Sequence, residues 1–418
     1  MSATTLKVSV VNLTLDSGER LPFVALDGFM PLILPTRWSL RTRRYFVQSS
    51  TLRSNLNSIA HLYEWAFIYL GENLDEYLSH EDLCSYQKLE AYAGWLRARP
   101  ENGQVASANA YNENLRISIV FLQWALHLCN RGGSNEERNQ TLSRKRERYN
   151  EYFGQLKVRG KRSTRRQPLT FDEVEAIKTA IGPCKNSQGN ILYNQDRTIK
   201  FPNNAFAQET ALRNWVMFCV ALELGLRIGE LLKLKTGDIP RRSNEPIRIE
   251  RNPDDPLDTR KIEPSVKTME RELWVSPQLL QLIGAYLRSK SGGRPRRSKS
   301  PYLFLTHTGA PLSIEGAKYI IRSIRKYSHV QHLTWHSLRH TWAERQAERL
   351  LTDPEITNAE DTLMRMGGWS SPASVIYYTG NVRTRIAMQK SEEHARDVWG
   401  LGDANAETNE VNDVTPSH

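Results

Sequence analysis

The 418-residue chain contains only four cysteines, and no two of them lie close together in the sequence. Metal sites and disulfide-rich folds need cysteines at short, regular spacing, so we expect isolated, reduced thiols. Long apolar runs are also missing, because the longest, at 215–222, is too short to cross a bilayer. The first residues lack an apolar stretch followed by small residues. We therefore expect a cytoplasmic protein without a membrane partner.

The sequence also lacks a glycine-rich phosphate loop and a cluster of carboxylates at metal-ligand spacing. Any chemistry on phosphates is therefore expected to run without ATP, a metal or another cofactor. Positive charge is in excess, with 57 Lys and Arg against 46 Asp and Glu and a net charge of +11. Such an excess favours a polyanionic partner, nucleic acid before membrane, although a generically basic surface is the alternative.

Hydrophobic periodicity divides the chain into segments. Two short strands are predicted at 8–15 and 21–26. A helical period of 3.6 residues then predicts helices over 51–70, 81–98 and 107–129. A second domain opens at Thr170, where T-F-D-E forms a capping box. The predicted boundaries are an N-terminal extension at 1–45, a helical domain at 46–132, a basic linker at 133–168, a second domain at 169–400 and a disordered tail at 401–418.

The second domain is predicted to be mostly helical, with one small antiparallel sheet. The strands are expected at 247–251 and 271–276. Predicted helices include 206–224, which ends at Gly225, and 336–350, 358–366, 371–378 and 383–399. The fold class is therefore mainly α with a small antiparallel β-sheet, an α+β second domain behind a helical N-terminal domain.

The basic segment has two interpretations. It is either a solvated linker or a linker that lies along a phosphate backbone. The second interpretation predicts DNA contacts from its ten basic residues, namely Arg144, Lys145, Arg146, Arg148, Lys157, Arg159, Lys161, Arg162, Arg165 and Arg166.

The most specific pattern is W-H-S-L-R-H-T at 335–341, which places two imidazoles and a guanidinium on one predicted helix. His336 and Arg339 are three residues apart and share a helix face. A guanidinium with a neighbouring imidazole suits a phosphate that is cut as well as held. Taken alone, Arg227, Lys267 or Tyr378 would each be read as an ordinary surface or packing residue.

Together these residues resemble the tyrosine recombinase (phage integrase) family. That family orders its residues as Arg, Lys, His-x-x-Arg, His or Trp, and Tyr. The corresponding residues here are Arg227, Lys267, His336, Arg339, Trp369 and Tyr378. The family's spacing of nine residues between its His/Trp position and its tyrosine selects Tyr378 over the adjacent Tyr377.

The resemblance implies a helical core-binding domain, a basic linker and a catalytic domain. It implies that Tyr378 attacks a phosphodiester, that two arginines neutralise the phosphate, and that Lys267 protonates the leaving hydroxyl. His336 would assist proton transfer, and Trp369 would pack and orient. Glu230 and His340 are interpreted as supporting residues that set the local geometry. The implied activity is site-specific DNA strand cleavage and transfer, for integration or excision of a mobile element.

The implied partners are duplex DNA with specific recombination sites and further copies of the chain, a tetramer on DNA in the nucleoid. The need for accessory recombination proteins stays open. Two features depart from the commoner family pattern, namely Trp369 in place of His and the run Met366–Gly368 before it. Tyr377 remains the alternative nucleophile. A topoisomerase IB-like relaxing enzyme and a non-catalytic DNA-binding protein on the same scaffold are the rival functions.

Overall fold

The computed structural model describes residues 7–98, 100–101, 104–105, 107–129, 134–160, 167–202, 206–242, 244–289 and 298–399. The chain divides into two compact units. The first comprises Met1–Arg165 together with Pro253–Ser265, and the second comprises Arg166–Asn252 together with Val266–His418. The predicted tail at 401–418 lies outside the described residues.

The first unit begins with the predicted hairpin. Strands β1 (Val8–Thr14) and β2 (Arg20–Leu26) pair antiparallel, and β3 (Met30–Pro31) adds to the β2 edge. Val8 pairs with Leu26 and Thr14 with Arg20, so the tight turn fixes the register. Val24 from this sheet and Trp38 join the same hydrophobic core as the helices that follow. The described part of the predicted N-terminal extension, from residue 7 onwards, therefore packs within the first unit.

Helices make up most of the first unit. They are α1 (Ile33–Trp38), α2 (Ser49–Tyr69), α3 (Leu74–His80), α4 (Tyr86–Ala98), α5 (Ala108–Cys129) and α6 (Asn135–Leu156), with a two-stranded ribbon of β4 (Pro100–Glu101) and β5 (Gln104–Val105) between α4 and α5. The segment predicted as one helix over 81–98 is a shorter helix, α4, that follows the separate α3.

The basic segment differs from the prediction of a linker, because most of it is the 22-residue helix α6. A capping box between Ser134 and Glu137 starts the helix. Leu142, Tyr149 and Leu156 recur at intervals of seven residues and are buried in the core of the first unit. The sparse apolar stripe is enough to bury one helix face, although charged residues outnumber it in the sequence.

The second unit is also mainly helical. Its helices are α7 (Phe171–Ile181), α8 (Gln208–Leu224), α9 (Ile228–Lys233), α10 (Pro277–Arg288), α11 (Ile314–Ser328), α12 (Trp335–Thr352), α13 (Ala359–Gly367) and α14 (Pro372–Val398). The predicted capping box of Thr170 and Glu173 starts α7. The two helices predicted at 371–378 and 383–399 are one continuous helix, α14.

The predicted sheet of the second unit consists of β6 (Ile247–Ile249) and β7 (Arg271–Leu273), which pair antiparallel. The predicted fold class, mainly α with small antiparallel sheets, is confirmed. A large hydrophobic core contains residues of every helix from α7 to α11. A smaller cluster joins α12, α13 and α14, and it includes Trp342, Leu363, Trp369, Val375 and Tyr378. This smaller cluster contains the predicted site residues Trp369 and Tyr378.

Candidate active site

Arg227 lies between two helices, where its position is set by the backbone. Helix α8 ends at Gly225, which has the left-handed conformation (φ +60°) that glycine adopts without steric cost. A Cβ on Gly225 would lie 2.2 Å from the Trp342 ring, so the chain can approach α12 this closely only at a glycine. Arg227 then serves as the N-cap of α9. Its Nη1 is buried and has no hydrogen-bond partner among the described residues.

A buried N–H donor without a partner costs free energy in the unliganded protein. The guanidinium of Arg227 is half-buried, and this burial lowers its pKa from the usual value. A phosphate oxygen would accept the hydrogen bond that Nη1 lacks and would also compensate the buried charge. The unsatisfied donor therefore makes Arg227 a candidate residue for binding an anion.

Arg339 is the second arginine of the site, and its side chain is fully buried on α12. Its Nη1 donates to the carbonyl oxygen of Gly225 at 2.7 Å, and its Nη2 donates to that of Gly367 at 2.5 Å. The guanidinium carbon lies 4.4 Å from the centroid of the Trp369 ring, a cation–π contact. Burial, and next the charge of Arg227, lower the pKa of Arg339 to about 9, so it remains a cation at neutral pH.

Glu230 is a buried carboxylate that connects these arginines. Its Oε2 accepts the backbone N–H of Arg227 at 2.7 Å and lies 3.8 Å from Nη1 of Arg339. Arg271 donates to both carboxylate oxygens, at 2.8 and 3.1 Å, and the Thr268 hydroxyl donates to Oε1. Burial alone would raise the pKa of Glu230, but the hydrogen bonds and charge of Arg271 outweigh it and lower the pKa. The carboxylate therefore stays charged among three guanidinium groups.

Arg271 and Thr268 were not predicted from the sequence as part of the site. Arg271 lies on β7, and its Nε also donates to the carbonyl oxygen of Met366 at 2.9 Å. It therefore joins the sheet to α9 and to the end of α13. The sequence offers no signal for this role, because an Arg on a short polar strand is usually a solvated residue.

Tyr378 lies on the first turns of α14 and is 5% exposed. Its hydroxyl is 2.8 Å from Nδ1 of His340 in a hydrogen bond. Its ring centroid is 5.4 Å from that of Trp369. Burial raises the pKa of Tyr378, and the charge of Arg339 opposes that rise. His340, interpreted from the sequence as a supporting residue, is thus the direct hydrogen-bond partner of the candidate nucleophile.

The neighbouring Tyr377 is half-buried, and its ring centroid lies 5.2 Å from that of Tyr378. The two rings are nearly perpendicular, and Tyr377 is 6.3 Å from the ring of His340. The Tyr377 hydroxyl forms no hydrogen bond with the residues that the structure describes. The geometry therefore favours Tyr378 as the residue that faces the arginines.

His336 and Lys267 lie at the edge of this arrangement. His336 is exposed, and its ring centroid is 4.2 Å from that of His340. Lys267 is exposed in the segment before β7, next to the buried Thr268 that contacts Glu230. The segment is attached to the end of α13 because Met269 N–H donates to the carbonyl oxygen of Gly368 at 3.1 Å. The contacts of Thr268 and Met269 therefore hold the backbone of Lys267 close to the hydrogen bonds of Glu230, while the side chain of Lys267 is exposed to solvent.

The basic residues of α6 and of the segment after it are largely exposed. Lys145 is an exception, because it forms an ion pair with Asp82 within the first unit. The others described are Arg144, Arg146, Arg148, Lys157 and Arg159. Lys161, Arg162, Arg165 and Arg166 lie outside the described residues. DNA contact by this set stays a prediction.

Within the described parts of the chain, no group of three His, Cys, Asp or Glu side chains is arranged to hold a metal ion. None of the helices in those parts has the length and apolarity needed to span a membrane.

Residues 192–385 match the model of the phage integrase family, and this segment contains every predicted catalytic residue. This segment is a phage integrase domain. The predicted recognition is thereby confirmed: the chain contains a tyrosine recombinase domain and is an enzyme that cuts and rejoins DNA strands. No curated protein that was compared with this recombinase is similar to it in sequence.

Solved structures support the same fold. The integrase of transposon Tn1549 bound to transposon right-end DNA is 17% identical, with a TM-score of 0.51, and the match covers 85% of this chain and 97% of that one. The same integrase with circular intermediate DNA is 16% identical, with a TM-score of 0.51 and coverage of 85% and 97%.

Replacing Glu230 by Gln is expected to destabilise the recombinase at neutral pH by about 3 kcal/mol, because three arginines then share no buried counter-charge. The lowered pKa of Glu230 in the folded protein means that its stabilising effect is complete above the ordinary value of 4.5 and is lost as the pH falls through the lowered value. The difference between the native protein and Glu230→Gln should therefore shrink in acid, as measured by urea unfolding at a series of pH values.

The matched control is Glu175→Gln, because Glu175 pairs with Lys178 at 2.7 Å on an exposed helix face. That substitution should change the free energy of unfolding by less than about 1 kcal/mol at any pH. A destabilisation by Glu230→Gln that is equally large at neutral and acidic pH would contradict the role assigned to the Glu230 charge.

Proposed function

We propose that this recombinase cleaves and rejoins DNA at specific sites through a 3′-phosphotyrosine on Tyr378. The observation that carries the proposal is the placement of the Tyr378 hydroxyl. It is hydrogen-bonded to His340 in a cluster with Arg339, whose neighbour Arg227 has a buried donor without a partner. A nucleophile, a proton acceptor and an anion site are the three parts that a strand-cleaving tyrosine needs.

The reaction is a transesterification. The Tyr378 oxygen forms a bond to phosphorus, and the bond from phosphorus to the 5′-oxygen breaks. The phenol proton passes to Nδ1 of His340, which is already within hydrogen-bond distance. Lys267 supplies the proton to the departing 5′-oxygen. One phosphodiester is exchanged for another, so rejoining by the reverse steps needs no ATP.

The two arginines have different roles in stabilising the phosphate. Arg227 binds a non-bridging oxygen through the Nη1 that is otherwise unsatisfied. Arg339 is held by two backbone carbonyls and supplies positive charge from a fixed position. Charges placed in advance stabilise the negative charge that develops in the transition state, without reorganisation during the step.

Trp369 and His336 complete the site. Trp369 packs between Arg339 and Tyr378, so it keeps water from the reacting atoms and orients both side chains. His336 is exposed beside His340 and is placed to contact the phosphate from the solvent side. A protonated His336 would donate to a non-bridging oxygen.

We further propose that the chain acts as a tetramer on duplex DNA in the nucleoid, with the DNA of a mobile element as its substrate. The C-terminal half of α14 supports assembly, because Met388, Val398 and Trp399 are exposed apolar residues there. Ile386 on the same helix instead packs within its own unit. The mobile-element substrate is supported by the Tn1549 integrase, whose structures hold transposon-end and circular-intermediate DNA.

Tyr378→Phe is expected to abolish the covalent protein–DNA adduct, because the phenyl ring keeps the packing but has no attacking oxygen. The adduct is measured with a nicked suicide substrate that traps the cleaved strand, resolved on a denaturing gel. Tyr377→Phe is the matched control and should form the adduct normally. An adduct that persists in Tyr378→Phe, or that is lost in Tyr377→Phe alone, would refute the assignment.

His340→Phe is expected to slow cleavage about 100-fold, because the Tyr378 proton loses its acceptor while a ring of similar shape remains. Single-turnover cleavage at saturating protein isolates this step from DNA affinity. His332→Phe, at an exposed position elsewhere in the second unit, is the control and should leave the rate unchanged. Cleavage by His340→Phe at the native rate would show that His340 takes no part in proton transfer.

A further inference from the structure

The backbone conformation of Gly367 gives no reason for a glycine at this position. Gly367 is the last residue of α13, and only its neighbour Gly368, the C-cap of that helix, has a positive φ, at +62°. A glycine in a helix is less favourable than an alanine, because it loses more conformational freedom on folding. The run that contains Gly367 and the tryptophan at 369 are the two departures from the commoner family pattern. The structure connects these departures physically.

The indole ring of Trp369 fills the space beside Gly367. A Cβ added to Gly367 would lie 2.5 Å from Cη2 of this ring and closer still to Cε3 and Cζ3. Real Cβ atoms are not found so close to other heavy atoms, so the ring in its present place excludes any side chain at 367. All three atoms belong to the six-membered ring of the indole, which an imidazole lacks. The requirement for glycine at 367 therefore comes from the tryptophan at 369.

The Trp369 ring is enclosed by residues of the candidate site and is 6% exposed. The guanidinium carbon of Arg339 lies 4.4 Å from its centroid, and the ring centroids of Tyr378 and Trp342 lie 5.4 and 6.3 Å away. Because protein interiors are close-packed, a ring that is displaced by a new Cβ must change at least one of these contacts. A substitution at 367 would therefore affect the arginine and the proposed nucleophile.

Gly367 also contacts Arg339 directly through its backbone. Its carbonyl oxygen accepts a hydrogen bond from Nη2 of Arg339 at 2.5 Å, while the same guanidinium contacts the face of the Trp369 ring. Gly367 therefore acts on Arg339 in two ways, through its own carbonyl oxygen and through the space that it leaves for Trp369. A test of the second effect has to separate it from the first.

We propose that Gly367 is a positioning residue for strand cleavage: by leaving room for the Trp369 ring, it sets how Arg339 and Tyr378 are placed relative to each other. The inference rests on the proposed function for the roles of Arg339 and Tyr378. Gly367 and Trp369 form a matched pair, in which the side chain at one position determines what the other tolerates. A displacement of about 1 Å in a reacting group is enough to slow a reaction about 100-fold.

The test is a double-mutant cycle of Gly367→Ala and Trp369→His, measured as single-turnover cleavage of a suicide substrate at saturating protein. Gly367→Ala alone should slow cleavage roughly 10- to 100-fold, because the displaced ring disturbs Arg339 and Tyr378. In the Trp369→His background the same substitution should change the rate less than about 3-fold, since the imidazole lacks the atoms that the Cβ meets.

Gly237→Ala is the matched control, because Gly237 is exposed in the same unit and an added Cβ there meets nothing within 4 Å. It should cleave at the native rate. If Gly367→Ala slows cleavage equally in both backgrounds, the proposal is overturned and the effect belongs to the carbonyl oxygen of residue 367. A native rate for Gly367→Ala would overturn the proposal as well.

Thermal unfolding of the same four proteins decides the matter if Gly367→Ala does not fold or if Trp369→His does not cleave. Gly367→Ala should lower the unfolding midpoint by about 5 °C or more in the native background, because the added Cβ overpacks the site. In the Trp369→His background it should not lower the midpoint, because alanine suits a helix better than glycine. An equal loss of stability in both backgrounds would contradict the matched pair.

Tyr378→Phe separates this inference from the proposed function. If Tyr378→Phe still forms the covalent adduct, the proposed function fails, and the inference fails with it. If Tyr378→Phe loses the adduct but the effect of Gly367→Ala is the same with Trp369 and with histidine at that position, the positioning role of Gly367 alone is overturned.

Discussion

The buried carboxylate of Glu230 is the interaction on which the active site depends. Three different elements supply the arginines Arg227, Arg271 and Arg339. Without a counter-charge their guanidinium groups would repel one another, because burial keeps water from screening the charges. Glu230 contacts a backbone or side-chain group of each. In the proposed function, the charges that bind the phosphate are thereby assembled before DNA binds, and folding rather than substrate binding supplies the free energy.

This arrangement gives Arg227 and Arg339, the two arginines proposed to bind the phosphate, different properties. Arg339 donates from Nη1 and Nη2 to the carbonyl oxygens of Gly225 and Gly367, so it also holds α8, α12 and α13 together. Arg227 retains a buried donor with no partner. The first arginine is therefore structural as well as electrostatic, whereas the second is left unsatisfied until an anion binds. Tyr378 and His340 lie next to Arg339 and Trp369, so the proposed nucleophile is adjacent to the proposed anion site.

The candidate site residues could be selected from the sequence because their chemical types and order are unusual. Arg227 follows a helix-ending glycine, and His336, Arg339 and His340 occupy one helix face and its edge. Family resemblance then selected Tyr378 and Lys267. The strands at 247–249 and 271–273 were also predictable, since both lie within the longer segments 247–251 and 271–276 that were expected to be strands.

Other features could not be read from local patterns. Helix α6 was not predicted from the sequence, because only three of its residues are buried and charged residues outnumber them. Arg271 and the hydrogen bond between His340 and Tyr378 depend on contacts between residues far apart in the chain. The loop 253–265 resembles any polar connection in sequence, and only its contacts with Arg20 and Gly18 assign it to the first unit.

The most direct measurement of the central claim, that Arg227 is a preassembled charge for the scissile phosphate, uses a DNA substrate with a neutral methylphosphonate at the cleavage position. Arg227→Ala removes the charge from the protein, and the methylphosphonate removes the charge that it is meant to neutralise. The account predicts that the rate of Tyr378 adduct formation by Arg227→Ala, relative to the native protein, improves at least about 10-fold on the neutral substrate. An equal loss of rate on both substrates would contradict it.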